Sequence, residues 1–234
     1  DGPVDNAVFF MNGSVLGAFG DYGRLLENVA AEERPVLFGL TDSLEHRYHL
    51  QTYWFAISAA GMRNPRVRRY WRRMPYSRNK QEAIAKRELR LTNDLTRAGL
   101  AVEIFFDYTR LQQVAIDYFD KLMARAAGHV GELDTGLAAP FEDQLMVRAR
   151  IYQPILRMLV SGTNLNPSFF LWEPLIAALG FPFLKREVLM QAGGRTPFWG
   201  VGDRLIAERG LPAELIHECL QTTLLTRAVQ PRFD

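Results

Sequence analysis

Residues 79–106 read NKQEAIAKRELRLTNDLTRAGLAVEIFF, and the hydrophobic period changes within them from that of a helix to that of a strand. Asn79 can cap a helix, and Glu82 follows three residues later in the manner of a capping box. Ile84, Leu91, Leu95 and Ala98 then recur at steps of seven, four and three, which is one face of an amphipathic helix that Gly99 ends. Leu100 to Phe106 continues as a strand. Glu88 sits on the apolar stripe, four residues after Ile84 and three before Leu91, so its side chain is expected to point toward the protein body. An inward carboxylate needs a partner or a job. An ion pair with one of the arginines, a wet edge of the stripe, and a catalytic role all satisfy that requirement.

Working outward toward the amino terminus, three further strands are expected. Ala7 to Met11, AVFFM, is a short apolar run between Asn6 and the turn-forming Asn12-Gly13, and reads as a buried strand entering a loop. That loop, NGSVLGAFG, carries three glycines and no carboxylate. A helix over Tyr22 to Ala31 should lead to a second buried strand, Pro35 to Leu40, ending at Thr41-Asp42-Ser43. Strand ends of this kind are where α/β proteins place their chemistry. His49 to Ser58, HLQTYWFAIS, is aromatic and β-branched and predicts a third strand closed by Gly61.

Toward the carboxy terminus the pattern is helical. Thr109 opens a helix with a face of Leu111, Val114, Tyr118 and Leu122, and Gly128 to Pro140 reads as a connection. Phe141 to Val160 is a long amphipathic segment, and Asn166-Pro167-Ser168 starts a helix that Gly180 stops. Shorter helices are expected over Leu184 to Gln191 and Pro212 to Arg227. The expected division is a sheet-bearing core over 1–127, a connection over 128–140 and a helical part over 141–234 packed on the core.

The 234 residues are 48% hydrophobic and 23% charged, which suits a folded globular chain rather than a disordered one. One cysteine, Cys219, excludes an internal disulfide framework and a cysteine-based zinc site. No apolar run is long enough to span a bilayer, and the opening DGPVDNAVFF lacks a basic secretion-signal start. The expected location is cytoplasmic, with any membrane contact peripheral. The net charge of +2 hides a local excess: Met62 to Lys80 holds Arg63, Arg66, Arg68, Arg69, Arg72, Arg73, Arg78 and Lys80 with no acid, interleaved with Tyr70, Trp71 and Tyr76. A solvated helix face, a site for a diphosphate or anionic membrane surface, and a nucleic-acid patch all fit this composition. No RNA-recognition signature accompanies it, so nucleic acid is not an expected partner.

Motifs for chemistry are few. There is no phosphate-binding Gly-rich loop and no G-x-S-x-G nucleophile elbow. His46 and His49 follow Asp42 and Glu45 in a loose cluster whose readings are a cation site or a surface and structural role. The remaining candidates are carboxylates, Glu88 first and Asp42 second.

Three pieces carry a family resemblance: MNGSVLG at 11–17, FGLTDS with HLQTYWFAIS between 38 and 58, and NPSFFLWEPLIAALGFPFLKREVLM at 166–190. Together they resemble the rhamnan synthesis protein F type of glycosyltransferase. The resemblance implies an α/β, GT-A-like sheet core with a helical carboxy-terminal part. It also implies a nucleotide-sugar donor, a glycan or lipid-linked saccharide acceptor, and a role in cell-surface polysaccharide synthesis with rhamnose or a related sugar. GT-A enzymes place roughly a hundred residues of nucleotide-binding structure before the metal loop, so the expected core lacks that amino-terminal half.

The Glu88 helix also resembles the GT-A pattern E-D-x-x-L-x-x-R-x-x-x-G, with Glu88, Leu89, Leu91, Arg97 and Gly99 standing in for it. Position 89 is leucine, so Glu88 is the only carboxylate of the motif and the implied general base of an inverting transfer. Asp42, His49 and Gln51 would then line the donor or acceptor site, and Asn12, Ser14 and Arg87 would face the diphosphate. Trp172 could stack on a sugar, as could Phe183, although core packing competes for both. The resemblance leaves the cofactor open between Mg²⁺ or Mn²⁺ and none: Asn12-Gly13-Ser14 offers no acidic ligand, so either Asp5, Asp21 or another group helps to hold the ion or arginines replace it, and no metal residue is assigned. The competing class is a transferase-like subunit that binds glycan or a partner enzyme without catalysis.

Overall fold

A computed structural model describes residues 6–74, 88–130 and 140–191, with 213, 214, 218 and 221. The chain forms a mixed α/β protein of two compact units. The first comprises Asp1–Gly13, Asp21–Gln112 and Asn164–Pro167, and the second Ser14–Gly20, Gln113–Thr163 and Ser168–Asp234.

In the first unit, β1 (Val8–Met11), β3 (Val36–Ser43), β4 (His49–Leu50), β5 (Trp54–Ile57) and β6 (Ala101–Phe106) make one mixed sheet. β5 is antiparallel to both β1 and β3, and β6 runs parallel to β3. The carboxyl ends of β1, β3 and β6 therefore share one end of the sheet. β3 is buried along its whole length, as a strand with neighbours on both edges and cover on its faces should be. β1 departs from the buried strand expected of AVFFM. Its exposure alternates, with Phe9 39% and Met11 63% exposed, because successive side chains point to opposite faces and one face of β1 is less covered than the other.

Among the described residues, the helices α1 (Gly23–Ala30), α2 (Ala59–Arg63), α3 (Pro65–Arg73) and α4 (Leu89–Arg97) also belong to this unit. Gly61 lies inside α2 rather than closing a strand: the Ser58 hydroxyl caps the helix by accepting the Gly61 N–H at 3.1 Å. A Cβ at Gly61 would come within 2.7 Å of Ile57 Cγ2, so the glycine permits close packing of helix on strand. One apolar cluster joins Leu37, Leu50, Phe55 and Ile57 of the sheet to Val67 of α3 and to Leu91, Leu95 and Ala98 of the α4 segment. Burying each large aliphatic side chain there contributes about 1.5–3 kcal/mol. The stripe expected over 91–98 is thus the face that docks on the sheet. Asn79, Glu82 and Ile84 lie outside the described residues.

In the second unit, β2 (Val15–Gly17) pairs antiparallel with β7 (Phe183–Lys185), where a loop and the start of a helix were expected. Three-residue strands joined across the chain leave no periodic trace in sequence. The long helices α5 (Tyr108–Val130), which begins in the first unit, and α6 (Pro140–Val160) match the helical expectation. The buried line of α5 is Leu111, Ala115, Phe119, Leu122 and Ala126, so Val114 and Tyr118 lie on its flank. The single helix expected after Asn166 is two, α7 (Pro167–Phe170) and α8 (Trp172–Ala177), separated at Leu171 by a non-helical backbone. Gly180 supplies the left-handed stop at φ 71°. α9 (Arg186–Gln191) begins two residues later than expected, after β7. Of the connection expected over 128–140, Gly128 to Val130 end α5 and Pro140 opens α6, so both helices run further than expected, while 131–139 and nearly all of 212–227 lie outside the described residues.

Glu173 of α8 is completely buried. Its Oε1 accepts from the Tyr118 hydroxyl at 2.6 Å and forms an ion pair with Arg148 Nη2. Burial, first, and the Glu173 charge hold the neighbouring Tyr152 hydroxyl well above the ordinary tyrosine range.

Candidate active site

The segment expected as one strand, HLQTYWFAIS, is broken where the chemistry would lie. β3 pairs with β5 through Leu37↔Ile57, Phe38↔Ala56 and Gly39↔Phe55, and with β4 through Asp42↔Leu50 and Ser43↔His49. The paired numbers sum to 94 in the first ladder and 92 in the second, so two extra residues bulge out between them. Bulges re-aim side chains and remove backbone groups from the ladder, and they recur beside active sites.

The displaced backbone groups find other partners. Gln51 N–H still donates to the Thr41 carbonyl at 2.9 Å. Leu50 N–H donates to Thr92 Oγ1 at 2.9 Å, and Thr52 N–H donates to Glu88 Oε1 at 3.3 Å. Glu88 and Thr92 are four residues apart, on one face at the start of α4, and both serve the bulged chain. Glu88 is half-buried, so the inward carboxylate anticipated from the stripe is tied to a backbone N–H rather than to an arginine among the described residues.

Beneath the bulge lies a buried polar cluster. Thr41 Oγ1 donates to Gln51 Oε1 at 2.8 Å, and with its one proton so used it accepts from the Tyr53 hydroxyl at 2.6 Å. Burial raises Tyr53 above the ordinary tyrosine range, so the ring stays neutral. Gln51 Nε2 donates to Asn166 Oδ1 at 3.0 Å, and Asn166 Nδ2 reaches Glu45 Oε2 at 3.4 Å. Asn12, exposed at the end of β1, donates its N–H to the Tyr53 carbonyl at 3.0 Å.

At the end of β3, Asp42 is 8% exposed and accepts the Tyr108 N–H at 2.7 Å. Burial pushes its carboxyl above the usual aspartate range, against the lowering effect of that hydrogen bond, and the Asp107 charge adds to the rise. Tyr108 in turn accepts the Leu165 N–H at 2.8 Å, which ties residues 164–167 to this end of the sheet. His49 is buried and its Nδ1 lies 2.8 Å from the Arg47 carbonyl, an acceptor, so Nδ1 carries a proton.

Asn12, Asp42, His49, Gln51 and Glu88 therefore lie on segments at or next to the carboxyl end of the parallel strands, the position that open α/β sheets use for ligands. Ser14 and Trp172 belong to the second unit. The Ser14 carbonyl accepts the Arg186 N–H at 2.9 Å, and Trp172 and Phe183 are 5% and 2% exposed, in packing positions. Arg87 lies outside the described residues. Sequence reasoning missed Thr41, Tyr53, Thr92, Tyr108 and Asn166. Asn166 was visible only as a helix start, yet its amide bridges Gln51 and Glu45.

The loop over Asn12-Gly13-Ser14 supplies no acidic ligand for a divalent ion. Asn12 and Ser14 offer an amide and a hydroxyl, where Mg²⁺ and Mn²⁺ require anionic oxygens. No group of three or more His, Cys, Asp or Glu side chains is arranged for a metal among the described residues. The His46 and His49 cluster is included in that statement.

This fold and this arrangement define a mixed α/β protein with acids and amides gathered at its strand ends. The chain belongs to the rhamnan synthesis protein F family, whose sequence model matches residues 4–126. That match takes in MNGSVLG, FGLTDS, HLQTYWFAIS and the Glu88 helix, while the third resembling piece, 166–190, falls outside it. The family ties the chain to polysaccharide synthesis. No curated protein and no solved structure matches the chain. Among the described residues, no helix is long and apolar enough to cross a membrane.

Proposed function

We propose that the chain is a glycosyltransferase of GT-A type that moves rhamnose or a related sugar from a nucleotide-sugar donor to a glycan or lipid-linked acceptor, with inversion at the anomeric carbon. The observation that carries this reading is the half-buried Glu88 carboxylate, held by Thr52 N–H at the carboxyl end of the sheet. In the reaction an acceptor hydroxyl attacks the anomeric carbon from the face opposite the nucleotide. A new C–O bond forms, the bond to the diphosphate oxygen breaks with its electron pair, and Glu88 takes the hydroxyl proton. Asp42, His49 and Gln51 position the sugars. The departing diphosphate is assigned to Asn12 and Arg87, its charge being neutralised by basic side chains.

Turnover of a panel of nucleotide sugars by the wild-type chain and by Glu88→Gln, with the product anomer read by NMR, tests the reading. The expected result is an inverted product and at least about a hundredfold loss in the variant with the fold intact. Absence of turnover and of nucleotide binding in the wild type would instead favour the non-catalytic glycan-binding or scaffold subunit.

A further inference from the structure

α3 has two faces of opposite character. Val67 is buried, and Tyr70, Trp71 and Met74 flank it, half-buried. Trp71 stacks on Phe10 with ring centroids 4.9 Å apart and on Phe55 at 6.3 Å, so its ring is committed to the core. Arg66, Arg68, Arg69, Arg72 and Arg73 are all exposed. At ~100° per residue these five fall in an arc of about 160° opposite Val67, along a helix of about 13 Å. Arg63, at the end of α2, is exposed just before them. None of the six forms an ion pair with a described residue; Arg72 Nε makes a long contact of 3.4 Å to the Arg68 carbonyl.

Six like charges packed this closely repel one another, and an anionic surface that meets them relieves that repulsion. A helix face is convex, so it cannot enclose a free phosphate or a nucleotide, whereas it can lie against a planar array of phosphates. Tyr70 and Trp71, the rings of this helix that single-stranded nucleic acid would stack on, pack against the apolar cluster instead. We propose that the arginine face of α3 is a docking surface for an anionic lipid bilayer. This adsorption is independent of the proposed transfer reaction. It needs no spanning helix.

Co-sedimentation of the full chain with phosphatidylcholine vesicles, with and without phosphatidylglycerol, tests it. Arg68→Glu/Arg72→Glu is compared with the charge-matched Arg24→Glu/Arg157→Glu, whose arginines are exposed on other helices. Binding should require phosphatidylglycerol, fall steeply with salt, and weaken by at least about fivefold for each α3 arginine reversed to glutamate. The control pair should bind nearly as the wild type. Failure to bind anionic vesicles at low salt, equal binding to neutral vesicles, or an equal loss in the control pair would overturn the proposal. So would tighter binding to an RNA oligonucleotide that the α3 variant alone abolishes, which would assign the face to nucleic acid.

Discussion

Glu88 and Glu173 are both carboxylates turned toward the protein, and their surroundings separate them. Glu173 is fully buried and closed off by the Arg148 guanidinium and the Tyr118 hydroxyl. Glu88 is half-buried, accepts the Thr52 N–H, and stands where the sheet is broken by a bulge. An inward acid by itself therefore says little about chemistry. The distinction lies in whether its partners consume its charge and whether a ligand can reach it.

That contrast can be broken most forcefully at Glu173. Glu173→Ala leaves Arg148 buried and unpaired, and unfolding in urea should show a loss of about 3–5 kcal/mol. The pair Arg148→Met/Glu173→Leu should recover most of it, since two apolar groups leave no uncompensated charge. At Glu88 the expectation reverses: Glu88→Gln keeps an oxygen for Thr52 N–H, so the melting temperature should hold while turnover falls at least about a hundredfold.

The polar floor beneath the bulge should lie between these extremes. Thr41→Val strips Gln51 and the buried Tyr53 hydroxyl of a shared partner, and urea unfolding should record a cost of about 1–3 kcal/mol. Asp42 gives the smallest effect and the opposite sign. Its raised folded value means the folded state holds the proton more tightly than the unfolded chain does. The stability it contributes is full below the unfolded aspartate value and is lost as pH rises through the raised folded value. Asp42→Asn should consequently raise the stability at neutral pH and remove that part of the pH dependence of melting.

The legible parts of the molecule were those with a strong local period. The α4 stripe of Leu91, Leu95 and Ala98, the continuous apolar run of β3 and the two long helices could be read directly, because burial imposes its period on each of them. Glu88 was legible for the same reason. The bulge was not, since Gln51, Thr52 and Tyr53 have ordinary strand propensities and only the two ladder registers reveal the extra residues. Asn166 stands 115 residues from its partner Gln51, a pairing that no local pattern encodes. The β2 and β7 strands were hidden likewise, each being three residues long and stabilised by the other.

The most direct test of the account measures turnover and melting temperature together for Glu88→Gln and Glu173→Gln. The account predicts that the first variant loses activity by about a hundredfold or more with its melting temperature unchanged, and that the second melts lower while its remaining folded fraction keeps near-normal turnover. Equal turnover in wild type and Glu88→Gln, or loss of the fold in Glu88→Gln, would contradict it and return Glu88 to a purely structural acceptor for the bulge.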